Sequence, residues 1–229
     1  MIPWQELGRA SVPGAEAPLV LLQRGHEFVI RSGPHALMSS TAHGSEEALA
    51  ELACERIAGR TSTRVLIGGL GMGFTLAVAL GRLRSDARVV VAELVPAVVE
   101  WNRGPLAQLA HRPLEDPRVV VHEGDVAELI RGKEGAFDAI LLDVDNGPNA
   151  LARESNNWLY SKAGLRSAFR ALPSNGILGV WSVAPDRPFT RRLVESGFTV
   201  DEQVVRARRT RGGRHTLWLA TRPEDAAPW

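Results

Sequence analysis

Short apolar runs alternate with longer amphipathic stretches from Arg64 almost to the end of the chain. The runs at 64–68, 88–93, 118–122, 137–143, 176–182, 198–205 and 214–221 predict strands. Helical patterning fills the gaps between the first six, near 73–84, 95–110, 125–132, 157–171 and 187–196. Val89-Val90-Val91-Ala92 and Ala139-Ile140-Leu141-Leu142 lack polar alternation, as strands buried on both faces require. Such strand–helix alternation predicts a doubly wound, Rossmann-like α/β sheet of seven strands. No helix separates the last two strands, only an Arg/Gly-rich turn at 206–213, so the last strand is expected to be antiparallel.

A smaller element precedes this domain. Residues 19–31 read as two strands about a turn at Gly25, and a third strand is expected at His35–Ser39. A helix follows at 45–58, with Ser45 as its cap. The boundaries are therefore 1–43 for a small N-terminal β-hairpin element and 44–229 for the α/β domain. A two- or three-stranded hairpin is marginal alone, so pairing in a homodimer is one expected source of support.

Composition narrows the class. The 229 residues are 45% apolar and 23% charged, with 27 basic against 26 acidic side chains. A chain of this length buries roughly 70% of its unfolded surface without a metal or disulfide staple. The single Cys54 excludes a disulfide framework, and within a helix it reads as a small buried residue. No apolar run reaches the roughly 18 residues of a membrane span, and the first residues lack signal-peptide features. A cytoplasmic protein with no membrane partner is expected. Near-zero net charge also counts against nucleic acid. Arg206, Arg208, Arg209, Arg211 and Arg214 fall within nine acid-free residues. They read either as a solvated loop or as an electropositive lip over a carboxylate-bearing ligand. His26, His35, His43, His111, His122 and His215 show no metal-ligand spacing or carboxylate partner, so no metal is expected. Trp101, Trp158 and Trp218 read as core, whereas Trp181 ends a strand beside the cleft.

The chemistry lies at the C-terminal ends of the predicted strands, where open α/β sheets bind ligands. Gly68-Gly69-Leu70-Gly71-Met72-Gly73 links the first strand to a helix and allows close approach to a ligand. Glu93 ends the second strand about 20 residues on, placed to accept from two ribose hydroxyls. Asp125, with the Val126 backbone amide, is placed for an adenine ring, and its side chain also suits a helix cap. Asp143 and Asp145 end the fourth strand before Asn146-Gly147-Pro148. Tyr160, the only tyrosine, could reach the acceptor.

These motifs taken in order resemble spermidine synthases over roughly residues 40–183. The set is Gly69, Gly71 and Gly73, then Glu93, Asp116-Pro117-Arg118-Val119, Gly124-Asp125, Phe137-Asp138-Ala139-Ile140, Asp143, Leu159-Tyr160 and Asn175-Gly176-Ile177-Leu178. The resemblance implies the class I S-adenosylmethionine (SAM)-dependent methyltransferase fold. It also implies a donor site in which Glu93 holds ribose, Asp125 and Val126 meet adenine, and Asp143 accepts the proton of the attacking amine. The family uses decarboxylated SAM and transfers an aminopropyl group to a diamine.

Departures fall on the acceptor side. The family's loop acid, which meets the ammonium of the aminopropyl tail, is Gly71 here. Its second acid falls on Asn146, with Asp145 beside it. Its Tyr-containing diamine grip appears as Ser45-Glu46-Glu47, and its C-terminal Tyr-Pro segment is replaced by the arginine-rich turn. The expectation is therefore methyl transfer from SAM to an amine or similar nucleophile of a small-molecule acceptor. Aminopropyl transfer, with Asp145 and Glu46 gripping an amine, is the second reading, and a non-catalytic SAM-binding protein the third. An NAD dehydrogenase would space its glycines Gly-x-Gly-x-x-Gly, which this loop does not.

Overall fold

A computed structural model describes residues 2–14, 17–144, 147–148, 158–208 and 210–224. The larger sheet contains β5 (Arg64–Gly68), β6 (Arg88–Glu93), β7 (Val119–Glu123), β8 (Ala139–Leu142), β9 (Ile177–Ser182), β10 (Thr199–Arg208) and β11 (Arg211–Thr221). Their order is β10-β11-β9-β8-β5-β6-β7. The pairs among β5 to β9 are parallel, and β11 is antiparallel to both β9 and β10. This is the expected doubly wound sheet with its last strand reversed.

Adjacent residues of a strand point to opposite faces, and here both faces are covered. Val65, Ile67, Val89, Val91 and Leu141 enter one core; Leu66, Ile140, Leu142 and Leu178 enter the other. Helices α1 (Gly44–Arg56), α2 (Phe74–Arg82) and α3 (Pro96–Arg103) cover the first face. Helices α4 (Val126–Ile130), α5 (Lys162–Ala171) and α6 (Arg187–Glu195) cover the second. Trp218 is fully buried, and its indole N–H donates to Thr190 Oγ1 at 2.8 Å. Among the described residues, no helix is long and apolar enough to cross a membrane.

The N-terminal sheet has four antiparallel strands, not three: β1 (Gln5–Ala10), β2 (Leu19–Arg24), β3 (Glu27–Ser32) and β4 (His35–Ser39). The missed strand is a mostly polar edge strand without the alternation that marks a buried face. It is fixed instead by docking, because Gly8 leaves no room for a side chain against Trp101 of α3. Strands β2 and β3 send Leu19, Leu21, Phe28 and Ile30 into the same core as α1 and the larger sheet. That shared core supports the small sheet.

Two further details differ from expectation. Ser45 does not cap α1; His43 takes the cap position, and Ser45 is buried within the first turn. The turn expected at 206–213 is mostly strand, since β10 continues to Arg208 and β11 begins at Arg211.

Candidate active site

The C-terminal ends of β5, β6 and β8 converge on the glycine loop. Gly69 has φ of +86°, and a Cβ there would stand 2.3 Å from the Asp143 carbonyl oxygen. Only glycine satisfies both conditions. Gly73, at φ +84°, turns the chain into α2. Gly71 lies between them at φ +54°.

Glu93 is 8% exposed, and its carboxylate is already in use. One oxygen accepts the loop amide of Leu70 at 3.0 Å and the other the amide of Val95 at 2.9 Å. Asp125 caps α4 by accepting the Ala127 amide at 2.8 Å, an arrangement worth about 1 kcal/mol. Glu93, Gly69, Gly71, Asp125, Val126 and Asp143 line one small groove. Backbone close approach, an acid at a strand end and a capped helix N-terminus together fit a nucleoside.

A larger cavity of about 820 Å³ adjoins that groove and shares Leu19, Leu37, Met38, Gly71 and Asp143 with it. The N-terminal sheet supplies Leu19, Leu37 and Met38 to its wall, and the larger sheet supplies Trp181, Ala207 and His215. Among the described residues, two carboxylates line it, Asp143 and Glu46. Thr75 Oγ1 donates to Asp143 Oδ2 at 2.7 Å. Burial pushes Asp143 up to about 6 despite that hydrogen bond. Burial, with the Asp143 charge next, pushes Glu46 up to about 8. The two titrate as a pair, and the cavity resists a second negative charge.

The expected site residues are thus sorted. Gly69, Gly71, Glu93, Asp125, Val126 and Asp143 meet at one groove, with Gly73 just behind. Tyr160 goes elsewhere: it is 4% exposed, packs edge-on against Phe189, and donates to the Val144 carbonyl at 3.3 Å. Asp145 lies outside the described residues. Of the five arginines read as a lip, Arg209 lies outside the described residues, and Arg208 donates to Thr41 Oγ1 at 3.2 Å, between the cavity-lining Ser39 and Ala42. Arg206 and Arg214 pair across the hairpin on its exposed side, whereas Ala207 and His215 turn inward to the cavity. Among the histidines, His43 does have a carboxylate partner one helical turn away, Glu47 at 3.0 Å.

Sequence reasoning missed His215. Its Nδ1 lies 2.8 Å from Ser45 Oγ, and its ring stands edge-on to Trp181 at 4.7 Å. Burial lowers its pKa, which keeps it uncharged. Its partners are 170 and 34 residues away in the chain, so no local motif could reveal it.

Comparisons with known proteins agree with this geometry. The polyamine aminopropyltransferase of Nitrosomonas europaea is 33% identical over 137 residues, 58% of this chain and 40% of that protein. The Mycobacterium tuberculosis polyamine aminopropyltransferase is 34% identical over 131 residues, 56% of this chain and 24% of that protein. The match therefore spans two fifths or less of these relatives. No family model matches the chain. Among solved structures, a spermidine synthase from Thermotoga maritima superimposes with a TM-score of 0.77, at 18% identity, covering 96% of this chain and 74% of that one. A spermidine synthase in complex with the transition state analogue AdoDATO gives 0.76 at 18% identity, covering 96% and 73%. These superpositions establish the fold. The chain has the fold of the spermidine synthases, a class I SAM-dependent methyltransferase-like fold, and over just over half its length it is similar in sequence to polyamine aminopropyltransferases.

Proposed function

We propose that this chain transfers an aminopropyl group from decarboxylated SAM to the amine of a small-molecule acceptor. The observation that carries this reading is the Glu46–Asp143 pair, in a cavity with no Arg or Lys among its described lining residues. SAM ends in an ammonium and a carboxylate, and that carboxylate would meet two acids and no cation. The decarboxylated donor ends in an ammonium alone, which an acid pair stabilises. Gly71 was expected to leave the donor's tail without a negative neighbour. Glu46 supplies one from α1. An acid at 71 would crowd the Met38 sulfur, which lies 3.2 Å from a Cβ at that position.

Glu93 then holds the ribose, Asp125 and Val126 border the adenine, and the glycine loop lies against the sulfonium. The bound donor supplies a carbon activated by sulfonium. As the amine nitrogen bonds to that carbon, the C–S bond breaks and sulfur leaves as a neutral thioether. Asp143 accepts the proton the nitrogen loses, and its raised pKa suits a base working near neutrality. The relatives named polyamine aminopropyltransferase support the same reading. They give no support to methyl transfer, the first expectation from sequence.

Calorimetric titration with SAM and decarboxylated SAM, in buffers of different ionisation enthalpy, tests it. The decarboxylated donor should bind at least tenfold more tightly and release a proton near pH 7, because its ammonium lowers the pKa of Glu46. SAM binding as tightly without proton release would restore methyl transfer.

A further inference from the structure

Asp143 borders both the groove and the cavity, and its backbone is pinned on either side. Its N–H donates to the Gly68 carbonyl at 2.9 Å, and its own carbonyl lies where a side chain on Gly69 would stand. The carboxylate is the part left to turn, because the terminal torsion of an aspartate is broad and roughly two-fold. Among the described residues, one side chain holds it: Thr75 Oγ1 donates to Oδ2 at 2.7 Å. Thr75 is 3% exposed and lies in the first turn of α2, where Phe74, Leu76 and Ala77 are apolar. A hydroxyl inside a helix ordinarily bonds back to the carbonyl of the preceding turn. This one reaches across to the residue after β8. The other acceptor near it is the Glu46 carbonyl of α1, at 3.5 Å. A hydroxyl has one proton, and the shorter contact takes it.

Glu46 and Asp143 share one negative charge near neutrality, since burial resists a second. A hydrogen bond donated to a carboxylate favours its ionised form, so Thr75 draws that charge to Asp143. The hydroxyl beside Glu46 is less exclusive, because Ser45 Oγ stands 2.8 Å from His215 Nδ1. The other titratable groups around the pair, among the described residues, are engaged elsewhere. Glu47 pairs with His43, Glu93 holds the amides of Leu70 and Val95, and Asp125 caps α4. His215 is kept uncharged by burial, and His35 of β4 is exposed.

We infer that Thr75 is a positioning residue for the base: its hydroxyl places the shared charge on Asp143 and the proton on Glu46, and leaves Oδ1 as the oxygen that meets the acceptor's nitrogen. Asp143 then stands ready as a base while Glu46 stays protonated until the donor's ammonium arrives. The role of Asp143 as base rests on the aminopropyl-transfer reading; the placement of the charge does not.

Carbon-13 resonances of the side-chain carboxyls, followed against pH in the ligand-free protein, test the placement. Asp143 is assigned as the signal absent from Asp143→Asn, and Glu46 as the one absent from Glu46→Gln. In wild type, Asp143 should titrate at lower pH than Glu46. Thr75→Val has the same shape without the hydroxyl and should raise the Asp143 midpoint by about one pH unit. Thr75→Ser keeps the hydroxyl and should stay near wild type. Single turnover with decarboxylated SAM and a panel of amines, butylamine and 1,4-diaminobutane among them, should show the same displacement. Thr75→Val should be about tenfold slower at the acid end of the profile, with the gap narrowing as pH rises. Asp143 keeping its proton to higher pH than Glu46 overturns the inference, as does a Thr75→Val midpoint equal to wild type. A Thr75→Ser midpoint displaced as far as that of Thr75→Val also overturns it, since the threonine would then act by packing. Should Thr75→Val fail to fold, Thr75→Ala takes its place in the comparison, and the wild-type order of midpoints can still overturn the inference. The expected titrations without any transfer from decarboxylated SAM would keep the charge placement and remove the aminopropyl reading.

Discussion

The groove proposed for the donor and the cavity proposed for the acceptor share Leu19, Leu37, Met38, Gly71 and Asp143, but the rest of each is built differently. The polar part of the groove is set by local backbone turns, namely a glycine loop, two amides held by Glu93 and a helix N-terminus capped by Asp125, beside apolar side chains such as Val95 and Val98. The cavity is made of side chains drawn from β4, α1, α2, β9 and β11, with the small sheet as one wall. Backbone geometry is specified by a few glycines and acids close together in sequence. A cavity assembled from distant elements can change its chemistry while the sheet stays the same. The contrast accounts for a donor half that retains its motifs and an acceptor half that departs from them.

The largest effect should come where the halves meet. Asp143→Asn keeps an acceptor for Thr75 but removes basicity. Single turnover at saturating decarboxylated donor should fall roughly 10²–10⁴-fold, the usual contribution of a positioned base. Donor affinity should change far less, because Glu93, Asp125 and the glycine loop would hold most of the nucleoside. Near-native single turnover, with stability and donor binding lost together, would make Asp143 a structural residue.

Within the groove, Glu93→Ala should weaken donor binding by about 2–3 kcal/mol, as an ionised acceptor for two hydroxyls disappears. Because the same carboxylate holds Leu70 and Val95, the variant should also lose about 1–3 kcal/mol of folding stability. Urea unfolding and donor titration read the two losses separately. A loss of binding without any loss of stability would show that the groove does not depend on this scaffold.

The same division explains what could be read in advance. The order of strands, the glycine loop, Glu93, Asp125 and Asp143 follow from local patterning and from the rule placing ligands at strand ends. β1 was hidden because its docking against Trp101, not its own alternation, makes it a strand. Tyr160 pointed the wrong way because a lone tyrosine near a site has no local sign of burial. Glu46 was visible only as an acid in a helix; its pairing with Asp143 depends on a contact 97 positions away. Ser45 looked like a cap, and its actual partner, His215, lies on the last strand. The arginines could be read as a lip because sequence alone does not say which face of a strand turns inward.

The smallest effect is a shift in thermal stability with pH, and it isolates the cavity from the groove. In the unfolded chain Glu46 ionises near its ordinary value of 4.5, whereas in the fold it stays protonated up to about 8. Between these values the folded state binds the extra proton, so stability falls as pH rises. Asp143 acts in the same sense at lower pH, with a folded value of about 6. His215 acts oppositely, since its lowered pKa favours folding as pH rises through the ordinary histidine range. The clean window is therefore about pH 6.5 to 8, where Glu46 dominates. The melting temperature of the ligand-free protein should drop there by roughly 2–4 °C. Glu46→Gln should flatten the slope and melt higher than wild type at pH 8. Saturating decarboxylated donor should flatten it too, because its ammonium removes the cost of ionising the pair. Glu93→Ala, in the groove, should melt lower throughout but keep the wild-type slope. Equal slopes in wild type and Glu46→Gln would show that the buried charge of the cavity resides elsewhere.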